Sequence, residues 1–123
     1  MVKAVRGAIS VDSNDHESMK IAVIALMNEV CEKNSLREEE MISVVFSQTT
    51  DLNVANPAAA LRKSGAYRRV PLFCTQEPEY DGALNSIVRV LVTYQNACGR
   101  DPVPVYLGEA VHLRKDLYQS DEC

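Results

Sequence analysis

Arg89 stands in the middle of NSIVRVLVTYQ, residues 85–95, a run with the alternation and β-branched content of a buried strand. Taking a guanidinium out of water costs several kcal/mol unless an anion compensates it, so this position asks for a negative partner. The partner is a carboxylate of the same fold, an anionic ligand, or solvent reached by snorkelling at a sheet edge. Arg6 favours the ligand. It is a second arginine in a strand-like run, and its same-face neighbours Ala4 and Ala8 leave volume around it. Tyr106 adds a phenol on the strand face that also carries Gly108, where it reads either as a hydroxyl donor beside free space or as a core tyrosine. Cys74 and Glu77, three residues apart where another strand enters a turn, could hold one hydroxyl between them. Taken singly, a cysteine is most often a small buried hydrophobe and a turn glutamate a solvated charge. The set as a whole suits binding and polarising an anion.

These side chains need elements to hold them. Residues 2–11 alternate as a first strand, with Val5, Ile9 and Val11 on one face and Ala4, Arg6 and Ala8 on the other. Asn14 with Glu17 resembles a helix start, and Met19, Ala22, Val23, Leu26 and Val30 recur at helical spacing toward Lys33. MISVVFSQ, residues 41–48, reads as a second strand, placed centrally. Asn56 as cap, Pro57 in the first turn and Gly65 as stop predict a short helix carrying Arg62. YRRVPLFCT (67–75), SIVRVLVTY (86–94) and VPVYLGEAVHL (103–113) read as the remaining strands, and Gly108 in the last suggests a bulge or close approach. The expected fold is α+β: a mixed five-stranded sheet with one long and one short helix, in one domain spanning residues 1–123. In the fourth strand Val88, Val90 and Val92 point one way while Ile87 and Leu91 point the other, so one long helix cannot cover both faces. Self-association into a small cyclic oligomer, with clefts between subunits, resolves that excess.

Composition narrows the partners. Apolar residues make up 46% and charged residues 24%, with a net charge of -4 and no basic run, which speaks against disorder and against nucleic acid. No basic leader precedes an apolar run, and no segment approaches the roughly 18 apolar residues of a membrane span, so a cytoplasmic protein without membrane association is expected. Cys31, Cys74, Cys98 and Cys123 are too dispersed for a metal knuckle or a redox pair and read as thiols. His16 and His112 form no ligand cluster with them, and neither a metal nor a cofactor is expected.

Five motifs, VRGAISV, SQTTDLNVANPAAALR, VPLFCTQE, IVRVL and VYLGEAVHLR, resemble in order and spacing the monofunctional chorismate mutases of the trimeric pseudo-α/β-barrel class. The resemblance implies rearrangement of chorismate to prephenate at sites between adjacent subunits of a homotrimer. It implies that Arg89 meets the ether oxygen of the breaking bond and a substrate carboxylate, that Arg6 and Tyr106 engage a carboxylate, and that Glu77 and Cys74 hold the ring hydroxyl. It also places Ala58, Phe73 and Leu113 against the substrate, with Arg62 and Arg114 at the mouth of the site. Two departures stand out. Asn56 and Ala59 occupy positions where the family often has an aromatic residue and a lysine, which removes one apolar wall and one entrance charge. The rival readings are a trimer of the same architecture that captures a small carboxylate or imine without this rearrangement, deaminase-type or non-catalytic, and a thiol enzyme pairing Cys74 with His112. The joint presence of Arg6, Cys74, Glu77, Arg89 and Tyr106 separates the mutase reading from the binding trimer, and neither Cys74 nor His112 stands in a motif that supports the thiol enzyme.

Overall fold

Alternating β-branched and small residues put Val2–Ser10 (β1), Met41–Gln48 (β2), Leu72–Gln76 (β3), Ile87–Gln95 (β4) and Val105–Leu107 (β5) into one sheet, ordered β3-β2-β4-β1-β5. The computed structural model describes residues 1–114 and, of Arg114, the backbone alone. β4 runs antiparallel to both β1 and β2, whereas β5 lies parallel to β1 and β3 parallel to β2, giving the expected mixed sheet. The central strand is therefore β4, the one that carries Arg89, with β2 beside it.

The long helix α1, His16–Lys33, starts one residue later than the sequence pattern suggests. Asp15 is its cap, accepting from the Ser18 N–H at 2.7 Å, and that bond holds the Asp15 carboxyl below the usual carboxylate range. Asn14 instead reaches sideways: its Oδ1 accepts from the N–H groups of Asn53 and Val54 at 3.1 and 3.2 Å, tying the helix start to the loop that precedes the short helix. α1 buries Met19, Val23, Leu26, Met27 and Val30 in a core shared with Val5 and Ile9 of β1, Val44 and Phe46 of β2, and Val88, Val90 and Val92 of β4. Gly7 sets how closely this helix lies. A Cβ there would stand 3.1 Å from Leu26 Cδ1, 3.2 Å from Val90 Cγ1 and 3.3 Å from the Val105 carbonyl oxygen.

The short helix α2, Pro57–Lys63, follows its sequence signals closely: the Asn56 side chain accepts from the Ala59 N–H at 3.1 Å, and Gly65 leaves the helix at φ 89°. Two strands are shorter than their patterns suggest. β3 begins at Leu72, not Tyr67, because Tyr67 sits in the left-handed region at φ 58° and the carbonyls of Tyr67, Arg68 and Val70 turn toward the Arg62 guanidinium. β5 ends at Leu107, and the apolar run beyond it winds into a 3₁₀ segment, Gly108–Arg114. Gly108 explains the switch: its φ of 58° is left-handed, Ser10 Oγ occupies the space a Cβ would need, and the same oxygen accepts from the Glu109 N–H at 3.0 Å. The expected close approach is thus to β1.

The 3₁₀ segment covers one corner of the second sheet face, where Ala8, Ile87, Tyr106 and Ala110 form a small core of their own with Leu84 and Leu113 packed against it. The rest of that face is bare, with Leu91 41% and Phe73 66% exposed. Asn34, buried at the end of α1, fixes the approach to β5: it donates to the Val103 carbonyl at 3.0 Å and accepts from the Val103 N–H at 2.7 Å. The tight seat at Gly7 makes a stability prediction. Gly7→Ala should lower unfolding stability by about 1–3 kcal/mol in a urea titration, since the Val105 carbonyl cannot swing aside as a side chain can. An unchanged midpoint would mean that α1 and β5 have slack over β1.

Candidate active site

The face of β4 turned away from α1 carries Ile87, Arg89, Leu91 and Thr93, and Arg89 lies opposite Ser47 of β2 on one side and Ala8 of β1 on the other. Its Nε is 2.9 Å from Glu77 Oε1. The N–H does not point along that line, so the contact is an ion pair without a well-formed hydrogen bond at Nε, and Nη1 and Nη2 donate to no acceptor among the described residues. The carboxylate is the more sheltered partner, with 15% of its side chain exposed against 40% for the arginine. Two contacts bring Glu77 there. Its N–H donates to the Gln48 carbonyl at 2.8 Å, continuing the β2–β3 pairing by one step, and Ser47 Oγ donates to Oε1 at 2.6 Å. Glu77 also borders a cleft of about 340 Å³ beside Thr49, Thr50, Tyr80 and Leu84.

Arg6 and Tyr106 share this face. Arg6 pairs with Leu91, which makes it a diagonal neighbour of Arg89 across β1 and β4 with α-carbons about 7–8 Å apart. Arg6 is exposed. Tyr106 is in register with Ala8, itself opposite Arg89, so the three lie in one row across the sheet. Leu113 packs on the small core that buries Tyr106. The side chain of Arg114 lies outside the described residues.

The remaining candidates gather elsewhere. Ala58, Arg62, Phe73 and Cys74 line a groove of about 390 Å³ between α2 and the β3 edge, together with Asn56 and Ala59. Phe73 is three strand steps from Arg6, roughly 14 Å at the usual strand spacing. Cys74 is in register with the buried Phe46, on the α1 side of the sheet, and donates its thiol proton to Gln48 Oε1 at 3.0 Å. Within one chain, then, the thiol and the Glu77 carboxylate face opposite sides of the sheet. Arg62 directs Nη1 to the carbonyls of Tyr67 and Arg68 and Nη2 to that of Val70, at 3.1, 2.9 and 3.3 Å, which makes it the brace of the loop leading into β3. His112 sits beyond β5, 3.2 Å from Glu109 Oε2, at the opposite end of the sheet from Cys74. A Cys74–His112 dyad is not assembled within the chain.

Sequence reading passed over two residues. Ser47 and Gln48 close β2 without any pattern that distinguishes them from other polar strand ends; only the register shows that one grips Glu77 and the other Cys74. Gln48 also donates to the carbonyls of Leu52 and Ala55 at 2.5 and 3.2 Å, so it joins the thiol to the loop ahead of α2.

Burial pushes the Cys74 thiol up from its ordinary value, and a thiol that stays protonated at neutral pH is a donor rather than a nucleophile. Cys98 moves the other way because Arg100 Nε donates to its sulfur at 3.5 Å. Mass mapping of brief alkylation at pH 7 should therefore find Cys98 modified well before Cys74, and Cys74→Ser should keep substantial activity. Preferential labelling of Cys74, with loss of activity in a folded Cys74→Ser protein, would restore the nucleophile reading.

Known proteins are similar to this chain over most of its length. The family described as Chorismate mutase type I matches residues 2–117. Chorismate mutase AroH of Thermus thermophilus is 40% identical over 119 residues, covering 95% of this chain and 97% of that protein. The corresponding AroH of Bacillus subtilis (strain 168) is 32% identical over 118 residues, covering 95% and 93%. Among solved structures, the chorismate mutase from Clostridium thermocellum superposes with a TM-score of 0.80 at 34% identity, covering 87% of this chain and 96% of that one. With a matching family description, two relatives above 30% identity and the same fold, this chain belongs to the type I chorismate mutases.

Proposed function

We propose that this protein converts chorismate to prephenate by intramolecular rearrangement, on the route to phenylalanine and tyrosine, as a homotrimer closed into a pseudo-α/β barrel. One domain per chain contributes two different half-sites. The observation that carries this reading is the Arg89–Glu77 pair on a bare sheet face, in a chain of this family whose Ala58, Arg62, Phe73 and Cys74 lie around a separate groove. Packing the bare face of one subunit against the groove edge of the next would bring the halves together and cover Leu91 and Phe73. The reading includes an enzyme working in the cytoplasm; separately, no helix among the described residues is long and apolar enough to cross a membrane.

The reaction gains and loses no atoms, and needs neither nucleophile nor proton transfer. Negative charge grows on the ether oxygen as the C–O bond breaks ahead of C–C formation. A guanidinium fixed beside that oxygen binds the transition state more tightly than the ground state, which is the condition for raising the rate. Arg89 takes this role because Nη1 and Nη2 are open to an acceptor while Nε rests against Glu77. Arg6 and Tyr106 hold a carboxylate beside it. Glu77 takes the ring hydroxyl, and Cys74 approaches that hydroxyl from the adjoining subunit. Ala58, Phe73 and Leu113 wall the substrate, and holding its enolpyruvyl chain over the ring lowers the entropic part of the barrier. Arg62 and Arg114 add positive field at the mouth; Arg62, whose donors hold three carbonyls, acts there by charge.

Arg89→Ala should lower kcat for chorismate by at least ~10²–10³, the scale of a lost oxyanion donor, and lysine should rescue only part of it. Citrulline at position 89, which keeps the shape, the Nε–H and one terminal NH2 but carries a carbonyl oxygen in place of the other and no charge, should bind substrate and turn it over slowly; a near-normal kcat would assign the rate to conformational restraint. The shared site has its own test. Chains carrying Arg89→Ala mixed with chains carrying Phe73→Glu should recover activity on subunit exchange, because some interfaces then join two intact halves. Exchange without recovery would place both halves in one chain.

A further inference from the structure

We propose that Ser47 is a positioning residue for Glu77, holding one carboxylate oxygen so that the other is presented to the substrate hydroxyl and Arg89 is left to the reacting ether. This inference rests on the reading of Glu77 and Arg89 given above. Ser47 Oγ lies 2.6 Å from Glu77 Oε1, the short separation of a hydroxyl donating to a charged carboxylate. Arg89 Nε approaches the same oxygen at 2.9 Å, so both side-chain contacts fall on Oε1, and Oε2 accepts no hydrogen bond among the described residues. The backbone of Glu77 is tied by its N–H to Gln48, which fixes the start of the side chain but not its three torsions.

The ion pair is the poorer source of that restraint during catalysis. Its N–H is poorly aligned with Oε1, and the guanidinium must give its charge to the substrate when the ether bond breaks. The well-formed hydrogen bond to Oε1 is the one from Ser47. Register makes it unavoidable: Ser47 is paired with Arg89 across β2 and β4 and with Thr75 across β2 and β3, so its side chain rises on the site face between the arginine and the strand that delivers Glu77. Ser47 is partly exposed and stands outside the main core, so its hydroxyl is not needed to satisfy buried packing.

The test compares two side chains of one shape. Ser47→Val and Ser47→Thr are nearly isosteric and both suit a strand, but only threonine keeps the donor. Each is made in the full chain and in a Glu77→Ala background, with melting temperature followed throughout. Ser47→Val should lower kcat/KM for chorismate roughly tenfold to a hundredfold, the range of a lost charge-assisted hydrogen bond, while Ser47→Thr stays within about threefold of the parent. In the Glu77→Ala background the valine substitution should change kcat/KM by less than about twofold, because its target is gone. Full activity in Ser47→Val, an equal loss in Ser47→Thr, or a valine effect that persists without Glu77 would each overturn the role given to Ser47 while leaving the chemistry of Glu77 standing. Unimpaired turnover by Glu77→Ala would overturn both.

Discussion

A guanidinium on the middle strand of a sheet asks for a counter-charge, and in this chain, where 40% of the Arg89 side chain stays exposed, Glu77 supplies it from the more sheltered side at 2.9 Å. Much of the surrounding architecture can be traced to that requirement. β3 must lie parallel to β2 and run one residue past its last paired position for the Glu77 N–H to reach Gln48, which in turn requires a crossover between the two strands. α2 provides it, capped by Asn56 and followed by a loop that Arg62 braces through its carbonyls. The arginine at the site and the arginine behind it therefore do different work. In the proposed site one would present its unengaged donors to a ligand; the other gives its donors to the backbone that leads to Glu77.

The sheet is covered unequally, and that inequality leaves the face of the proposed site open. On the α1 side the packing is close enough that a single Cβ at Gly7 would crowd Leu26, Val90 and the Val105 carbonyl. On the other side the 3₁₀ segment buries only Ala8, Ile87, Tyr106 and their neighbours, leaving Arg6, Leu91 and Phe73 toward solvent in the isolated chain. Exposed apolar residues beside paired charges describe a surface that gains by association, since burying the former raises the strength of the latter. In the proposed trimer, the same contact that removes Leu91 and Phe73 from water would dry the ground around Arg89.

Most of the elements were legible in the sequence because their signals are local. The cap, first-turn proline and terminal glycine of α2 each act within a few residues, and all three hold. Legibility failed where a residue's partner was distant. Asn14 and Asp15 are equivalent as caps on paper; the choice fell to Asp15 because Asn14 is drawn to Asn53 and Val54 across the fold. The alternation through Val105–Leu113 continues past Gly108, yet the chain leaves the sheet there because Ser10 receives it. Candidate site residues followed the same division. Arg89 announced itself by its chemistry in a strand, while the register that puts Ser47 beside Glu77, and sends Cys74 to the other side of the sheet, exists only once three strands are paired.

The two departures from the family pattern gain a physical meaning in this setting. Asn56 is not an empty substitution for an aromatic wall, because its side chain caps α2 and so secures the helix that carries Ala58 and Arg62 to the groove. Ala59, in the same first turn, supplies the N–H that the cap receives. Phe73, two-thirds exposed at the opposite wall of that groove, is the aromatic surface the chain offers there. The large apolar surface of this groove thus comes from the strand side, with only alanines for apolar contact on the helix side. The groove is walled by the edge strand β3, while the α2 N-terminus that flanks it is committed to capping, and substrate restraint in the proposed site would depend on how firmly β3 is held against β2.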